Sequence, residues 1–89
     1  MPEIQLLIKN SVGLHARPAS LFVQTASKFK SDIRVKMDGN SVNAKSILHV
    51  LTLGAQKGST ITVVAEGEDA EQALAALSDL CARNFGEQE

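Results

Sequence analysis

Alternating apolar and polar residues mark four short segments as β-strands. The alternation is clearest at residues 31–37, where Ile33, Val35 and Met37 are separated by charged side chains. Asp38-Gly39 follows, and this pair is favoured in tight β-hairpin turns. The same pattern predicts the remaining strands at residues 3–8, 40–43 and 60–66.

Three further segments repeat their apolar residues at helical spacing. The first helix is predicted at residues 16–28, with an apolar face of Ala19, Phe22, Ala26 and Phe29. A short helix is predicted at residues 47–52, with Ser46 as its N-cap and Gly54 as its terminator. The last is predicted at residues 70–84, capped by Asp69, with Arg83 near its end and Gly86 stopping it. Its buried face would consist of Ala70, Ala73, Leu74, Leu77, Leu80 and Cys81.

The order of these elements indicates the fold class. Each predicted strand has one apolar and one polar face, which is typical of an antiparallel sheet covered by helices on one side only. We therefore expect an α+β fold, a two-layer open-faced sandwich. The 89 residues, 44% hydrophobic and 21% charged, are expected to form a single domain over 1–89.

Composition and charge exclude several classes of function. A net charge of −1 gives no basis for binding nucleic acid or a membrane surface. The N-terminus lacks the features of a signal peptide, and no apolar run approaches a membrane span. The single Cys81 excludes an internal disulfide and is expected to be a buried, inert thiol. We expect a cytoplasmic protein with no metal site and no cofactor.

Candidate chemistry lies at residues 13–20, where a loop runs into the first helix. Gly13 suits the bend, and His15 would stand at the cap position of the helix. The free amides of Ala16 and Arg17, with the helix dipole, would converge beside the imidazole. The Arg17 guanidinium would be a second anion anchor. A phosphoryl group is the anion that best fits these three features, although an isolated histidine before a helix is usually only a surface residue.

Two sequence blocks resemble a known family. Gly-Leu-His-Ala-Arg-Pro-Ala at residues 13–19 is similar to the active-site motif of HPr, the histidine-containing phosphocarrier of the bacterial sugar phosphotransferase system. Val-Asn-Ala-Lys-Ser-Ile at residues 42–47 resembles the regulatory-serine region of that family, and residues 65–69 resemble the entry to its last helix. The resemblance covers nearly the whole chain.

The resemblance implies a sheet topology and a phosphoryl-transfer function. The sheet order would be 1-4-2-3, with three helices on one face. His15 would accept a phosphoryl group on Nδ1 from phosphorylated enzyme I and pass it to a IIA component of a sugar permease. Ala16, Arg17 and Pro18 would hold the phosphoryl group. The chain would thus be a phosphocarrier rather than an enzyme, and we expect it to be monomeric.

The resemblance also implies regulation and a docking surface. Ser46 would be phosphorylated by an HPr kinase/phosphorylase, with Lys45 partly screening the added charge, and the product would act on a catabolite-control transcription regulator. A short helix needs few inward residues besides Val50 and Leu53, so surplus apolar side chains should form a partner patch. The predicted partner-binding residues are Ser20, Gln24, Ile47, Leu48 and Leu51.

Three alternative functions differ from this interpretation. One is a regulatory binding protein of the same fold that acts through Ser46, although such paralogues lack the active histidine. Another is a nitrogen-branch carrier, against which the intact Lys45-Ser46-Ile47 block argues. The third is a small enzyme with a histidine base, but no second catalytic group converges on His15. His49 has no comparable context and is predicted to be solvated or partner-facing.

Overall fold

The computed structural model describes residues 2–9, 14, 16–83 and 85. In chain order its strands and helices are β1 Glu3–Leu7, α1 Ala16–Ala26, β2 Asp32–Met37, β3 Asn40–Asn43, α2 Ile47–Thr52, β4 Thr60–Glu66 and α3 Ala70–Ala82. The helices in these ranges are too short or too polar for any of them to cross a membrane.

The four strands form one antiparallel sheet in the order β1-β4-β2-β3. β4 lies in the middle of it, with Val63 opposite Ile4 of β1 and opposite Val35 of β2. The β2–β3 connection is a tight hairpin in which Asp38 and Gly39 both have positive φ, as a type I′ turn requires. The predicted fold class and strand order are confirmed.

The helices cover one face of the sheet and bury its alternating apolar residues. Ile33 and Val35 of β2 are fully buried. The helices bring their own apolar faces to the same core, which includes Ala19, Phe22, Val50, Leu74, Leu77 and Cys81. The opposite face carries mostly polar side chains, but Val64 is almost completely buried there and Leu7 is exposed there. Burying one apolar face of every element gives this small chain its core.

The bounds of several elements differ from the prediction by one or two residues. β1 ends at Leu7 rather than residue 8, and β2 begins at Asp32 rather than residue 31. α1 ends at Ala26, and the Lys28 and Phe29 amides bond three residues back rather than four, so Phe29 lies beyond the helix yet remains partly buried. α3 ends at Ala82, not at residue 84, whereas the predicted stop at Gly86 lies outside the described residues.

The predicted side-chain cap of α3 is wrong. Asp69 stands at the N-cap position, but its carboxylate makes no bond to the helix. It accepts hydrogen bonds from the Lys30 amide at 2.8 Å, the Ser31 amide at 2.9 Å and the Ser31 hydroxyl. The Ser31 hydroxyl and the Lys30 amide hold the pKa of this carboxyl below its usual range. Asp69 therefore ties the turn after α1 to the start of α3.

The packing around the bond between Asp69 and Ser31 explains why residue 67 is a glycine. Gly67 has a φ of +145°, and a β-carbon there would lie 2.6 Å from Ser31 Oγ. Ser31 is itself only 2% exposed. A side chain at position 67 would therefore meet both backbone strain and a steric clash.

Candidate functional site

The start of α1 presents main-chain amides at the predicted site. The helix begins at Ala16, directly after His15 in the sequence. Amides in the first turn of a helix have no partner within it, and Ala16 and Arg17 are both exposed to solvent. His15 and Gly13, on which the prediction also depends, lie outside the described residues. What the structure supplies is the helix start that would receive an anion beside position 15.

Buried residues fix the chain on both sides of position 15. On one side, Leu14 is 3% exposed, and its amide donates a 2.9 Å hydrogen bond to the Ala55 carbonyl. On the other, Pro18 is fully buried in the first turn of α1. The exposed residues after position 15 therefore begin and end at anchored points.

Arg17 extends from this helix start without an ion-pair partner within the described ranges. The ion pair found there is between Arg83 and Asp79, with Nε and Oδ2 3.1 Å apart. The Arg17 side chain is exposed and can be recruited to an incoming anion without breaking a salt bridge in that part of the chain. This arrangement fits its predicted role.

The exposed apolar surface of α2 lies beside α1. Leu48 is 73% exposed and Leu51 is 38% exposed, while Val50 and Leu53 point into the core as predicted. Ile47 differs from the prediction, because it is half-buried and packs against the core. α1 and α2 are in contact with each other. We call Leu48 and Leu51 the α2 patch.

Two polar residues of α1 that are predicted to bind partners, Ser20 and Gln24, form a hydrogen bond with each other. Gln24 Nε2 donates a 3.1 Å hydrogen bond to Ser20 Oγ. The bond joins residues four apart, which are neighbours on a helix surface. A partner that bonds to either side chain must therefore replace or share this contact.

Ser46 is half-buried at the start of α2, as predicted for its cap. Its hydroxyl accepts from the His49 amide over 3.5 Å, a long bond, and Gly54 ends the helix with a φ of +65°. His49 itself is exposed. A phosphate on this hydroxyl would meet the free amides of the α2 start, with the α2 patch nearby.

The Lys45 ammonium has a structural contact that the sequence does not predict. Its Nζ donates a 2.7 Å hydrogen bond to the Phe29 carbonyl, just beyond the end of α1. It thus joins the end of α1 to the start of α2, and since the carbonyl is neutral, partial screening of Ser46 by Lys45 stays a prediction. Sequence reasoning missed this contact, and it also missed the bond between Leu14 and Ala55. Neither pairing leaves a signal in the sequence, since each joins residues far apart in the chain.

The described residues hold no group of three or more His, Cys, Asp or Glu side chains close enough to bind a metal ion.

Comparison with known proteins places the chain in a family. Residues 2–83 match the model of the PTS-HPr family, described as the PTS HPr component phosphorylation site. The chain is 49% identical over 77 residues to the HPr-like protein Crh of Halalkalibacterium halodurans, a match that covers 86% of this chain and 92% of that protein.

Solved structures agree with this match. HPr-C-His from Thermoanaerobacter tengcongensis has a TM-score of 0.97 and 53% identity, with both chains covered completely. Crh of Bacillus subtilis, a catabolite repression protein described as a dimer with a swapping domain, has a TM-score of 0.75 and 39% identity over 94% of this chain and 97% of that one. From the family match, the sequence identity and the shared fold together, we conclude that the chain belongs to the PTS-HPr family of phosphocarrier proteins.

Proposed function

We propose that this protein carries a phosphoryl group on His15, accepting it from phosphorylated enzyme I and passing it to a IIA component of a sugar permease. The observation that carries the proposal is the start of α1 directly after His15, with Ala16 and Arg17 exposed. A helix start with a neighbouring guanidinium is a favourable place for a phosphoryl group. Membership of the family supports the same role.

The proposed transfer is a nucleophilic displacement at phosphorus. Nδ1 of neutral His15 attacks the phosphoryl group, a P–N bond forms, and the bond from phosphorus to the donor breaks. A histidine with a reference pKa of about 6.5 is mostly neutral near pH 7, so the attack needs no strong base. Amides and Arg17 at the α1 start then hold the phosphoryl group until an acceptor attacks and the P–N bond breaks.

The α2 patch is the proposed docking site for both partners. Leu48 exposes most of its side chain on α2, which is in contact with α1. Apolar side chains at this degree of exposure are typical of a partner surface. Leu48→Asp should weaken binding to enzyme I by about 1–2 kcal/mol, since it places a charge where water is excluded. The melting temperature should barely change; a large fall would mean that Leu48 stabilises the fold instead.

A second candidate function is regulatory. Similarity to the Crh proteins favours it, and Ser46 would then be the modified residue. His15 favours the carrier, but the two functions can coexist in one chain. The enzyme I assay below tests the first, and incubation with an HPr kinase and ATP followed by mass mapping tests the second.

Location and oligomeric state are part of the proposal. We propose a cytoplasmic monomer, and the buried free thiol of Cys81 supports a reducing compartment. Because Crh of Bacillus subtilis is described as a dimer, light scattering after size-exclusion chromatography is the deciding measurement. A stable dimer at micromolar concentration would contradict the monomer.

The decisive experiment is incubation with enzyme I and phosphoenolpyruvate. The chain should gain one acid-labile phosphoryl group that maps to His15, and His15→Ala should gain none. Arg17→Ala should fold normally but transfer about tenfold more slowly, because a charge-assisted contact is lost. His49→Ala is the matched control and should behave as the parent protein. Normal labelling of His15→Ala would overturn the proposal.

A further inference from the structure

A groove of about 410 Å³ lies between β1 and α3, away from the α2 patch. Ile4 of β1 and Leu74 of α3 supply its apolar surface, and Glu3 and Glu71 lie along it on opposite sides. β1 is an edge strand of the sheet. The groove thus combines an apolar floor, two carboxylates and the side of a strand.

Hydrogen bonds at the two ends of β1 show which main-chain groups face outward. The Pro2 carbonyl accepts from the Ala65 amide, and the Ile8 amide donates to the Ser59 carbonyl. Residues at alternate positions of an antiparallel strand bond to the same neighbour. The even-numbered residues of β1 therefore bond to β4, and the odd-numbered residues direct their N–H and C=O groups away from the sheet.

Among the residues that the structure describes, the outward N–H and C=O groups of β1 are hydrogen-bonded near Leu7 but not near Glu3 and Gln5. The Leu7 carbonyl accepts from the Cys81 thiol at 3.3 Å, so α3 covers that end. No hydrogen bond reaches the main chain of Glu3 or Gln5 from the part of the chain that the structure describes. An edge strand with free main-chain groups can pair with another extended segment. The open stretch of β1 is the part that borders the groove.

Charge decides what would bind there. Glu3 and Glu71 are exposed, and neither forms an ion pair with a described residue. A second copy of the chain, paired through its own β1, would bring another Glu3 to an edge that already carries Glu3 and Glu71, and like charges that face each other across strands are destabilising. A segment with basic side chains would be attracted instead.

We propose that this groove binds an extended peptide with alternating apolar and basic side chains, which adds to the sheet beside β1. Main-chain bonds to Glu3 and Gln5 would supply the pairing. Because side chains of a strand alternate between its faces, the apolar ones would enter the groove against Ile4 and Leu74. The basic ones would lie on the open face beside Glu3. This site does not depend on phosphoryl transfer at His15.

The test uses a capped pentapeptide, acetyl-Lys-Val-Lys-Val-Lys-amide, added to the ¹⁵N-labelled full chain. Saturable shifts of the amide signals of Glu3, Gln5 and Ala75 are expected, with the signals of α2 unchanged. A peptide with glutamate in place of lysine should not bind. A peptide N-methylated at all five residues keeps its charge but loses the main-chain donors that could reach β1 in either strand direction, and it should also fail to bind.

Two variants of the protein complete the test. Glu3→Gln keeps the main chain of β1 and should raise the dissociation constant of the lysine peptide by about two- to fivefold, as expected for one exposed charge. Asp38→Asn, in the β2–β3 turn, removes the same charge elsewhere and should leave the dissociation constant unchanged. Equal binding of the N-methylated peptide would overturn strand addition. Absence of saturable shifts along β1, or an equal effect of both variants, would overturn the site itself.

Discussion

Ser46 and Asp69 stand at the starts of α2 and α3, and both are residue types that favour an N-cap. The Ser46 hydroxyl accepts from its own helix, at the long distance of 3.5 Å. The Asp69 carboxylate instead bonds to Lys30 and Ser31, which lie 39 and 38 residues away in the chain. Ser46 thus caps its own helix with a weak hydrogen bond, whereas Asp69 connects the start of α3 to the turn after α1.

The difference shows what each position is free to do. Three donors already occupy Asp69, so a change there should be felt by the whole fold. The Ser46 hydroxyl makes one long hydrogen bond and lies beside the exposed α2 patch. It can therefore be modified at little cost to stability. Four substitutions test this contrast, from the largest expected effect to the smallest.

Gly67→Ala should have the largest effect on stability, because its new methyl group would clash with Ser31, which bonds to Asp69. The backbone would stay at positive φ as well. We expect a loss of about 2–4 kcal/mol in the free energy of unfolding, measured with urea. Gly39→Ala is the matched control: its φ is +84° with open space around it, so it should lose only about 1–2 kcal/mol. Equal losses would mean that the contact with Ser31 is not tight.

Asp69→Asn should alter the pH dependence of stability. The folded pKa of Asp69 lies below the unfolded value of 3.8, so its carboxylate stabilises the fold above pH 3.8. That contribution is lost as the pH falls from 3.8 through the lower folded pKa. The variant should be less stable than the parent at pH 7, with a smaller decline between pH 5 and pH 2 in urea titrations. An unchanged decline would show that other carboxyls cause it.

Ser46→Asp should affect docking rather than folding. The new charge would lie beside the α2 patch and oppose an acidic partner surface. We expect the apparent KM of enzyme I for the variant to rise about three- to tenfold at low salt, and less at high salt. Its melting temperature should stay within about 2 °C of the parent value. Unaltered transfer kinetics at low salt would leave Ser46 as a helix cap alone.

Ser46→Ala should have the smallest effect. Loss of a cap bond of 3.5 Å should cost only about 0.5 kcal/mol, at the low end for N-caps. The pH dependence of unfolding should match that of the parent, since no ionisable group changes. A loss comparable to that of Asp69→Asn would contradict the contrast between the two positions.

The sequence predicts the elements well because their signals are local. Alternation in β2 and helical spacing in α3 follow from which side chains must be buried, and the structure confirms both. Family resemblance predicts the strand order, whereas periodicity does not determine which strands pair. The sequence predicts the end of α1 two residues late, because a 3₁₀-type turn keeps the helical spacing of Phe29 without continuing the helix.

Contacts between distant segments were the part that the sequence could not predict. The sequence predicts Asp69 as a helix cap. Only the folded chain brings Ser31 close enough to bond to its carboxylate in place of the helix amides. Ile47 was assigned to the surface because a helix of six residues covers little area, but its side chain reaches the core. The residues around His15 were singled out by their motif, whereas the Leu14 anchor to Ala55 depends on tertiary structure.

The buried Cys81 has a practical consequence for labelling. Its burial raises the pKa of the thiol, and the thiol donates to the Leu7 carbonyl. The thiolate is the form that attacks alkylating reagents, so the natural cysteine should react slowly at neutral pH. A cysteine introduced at exposed position 49, next to the α2 patch, should then take up a maleimide dye selectively, without removal of Cys81. Fluorescence from that dye would follow partners as they arrive and leave, in a chain altered at a single residue.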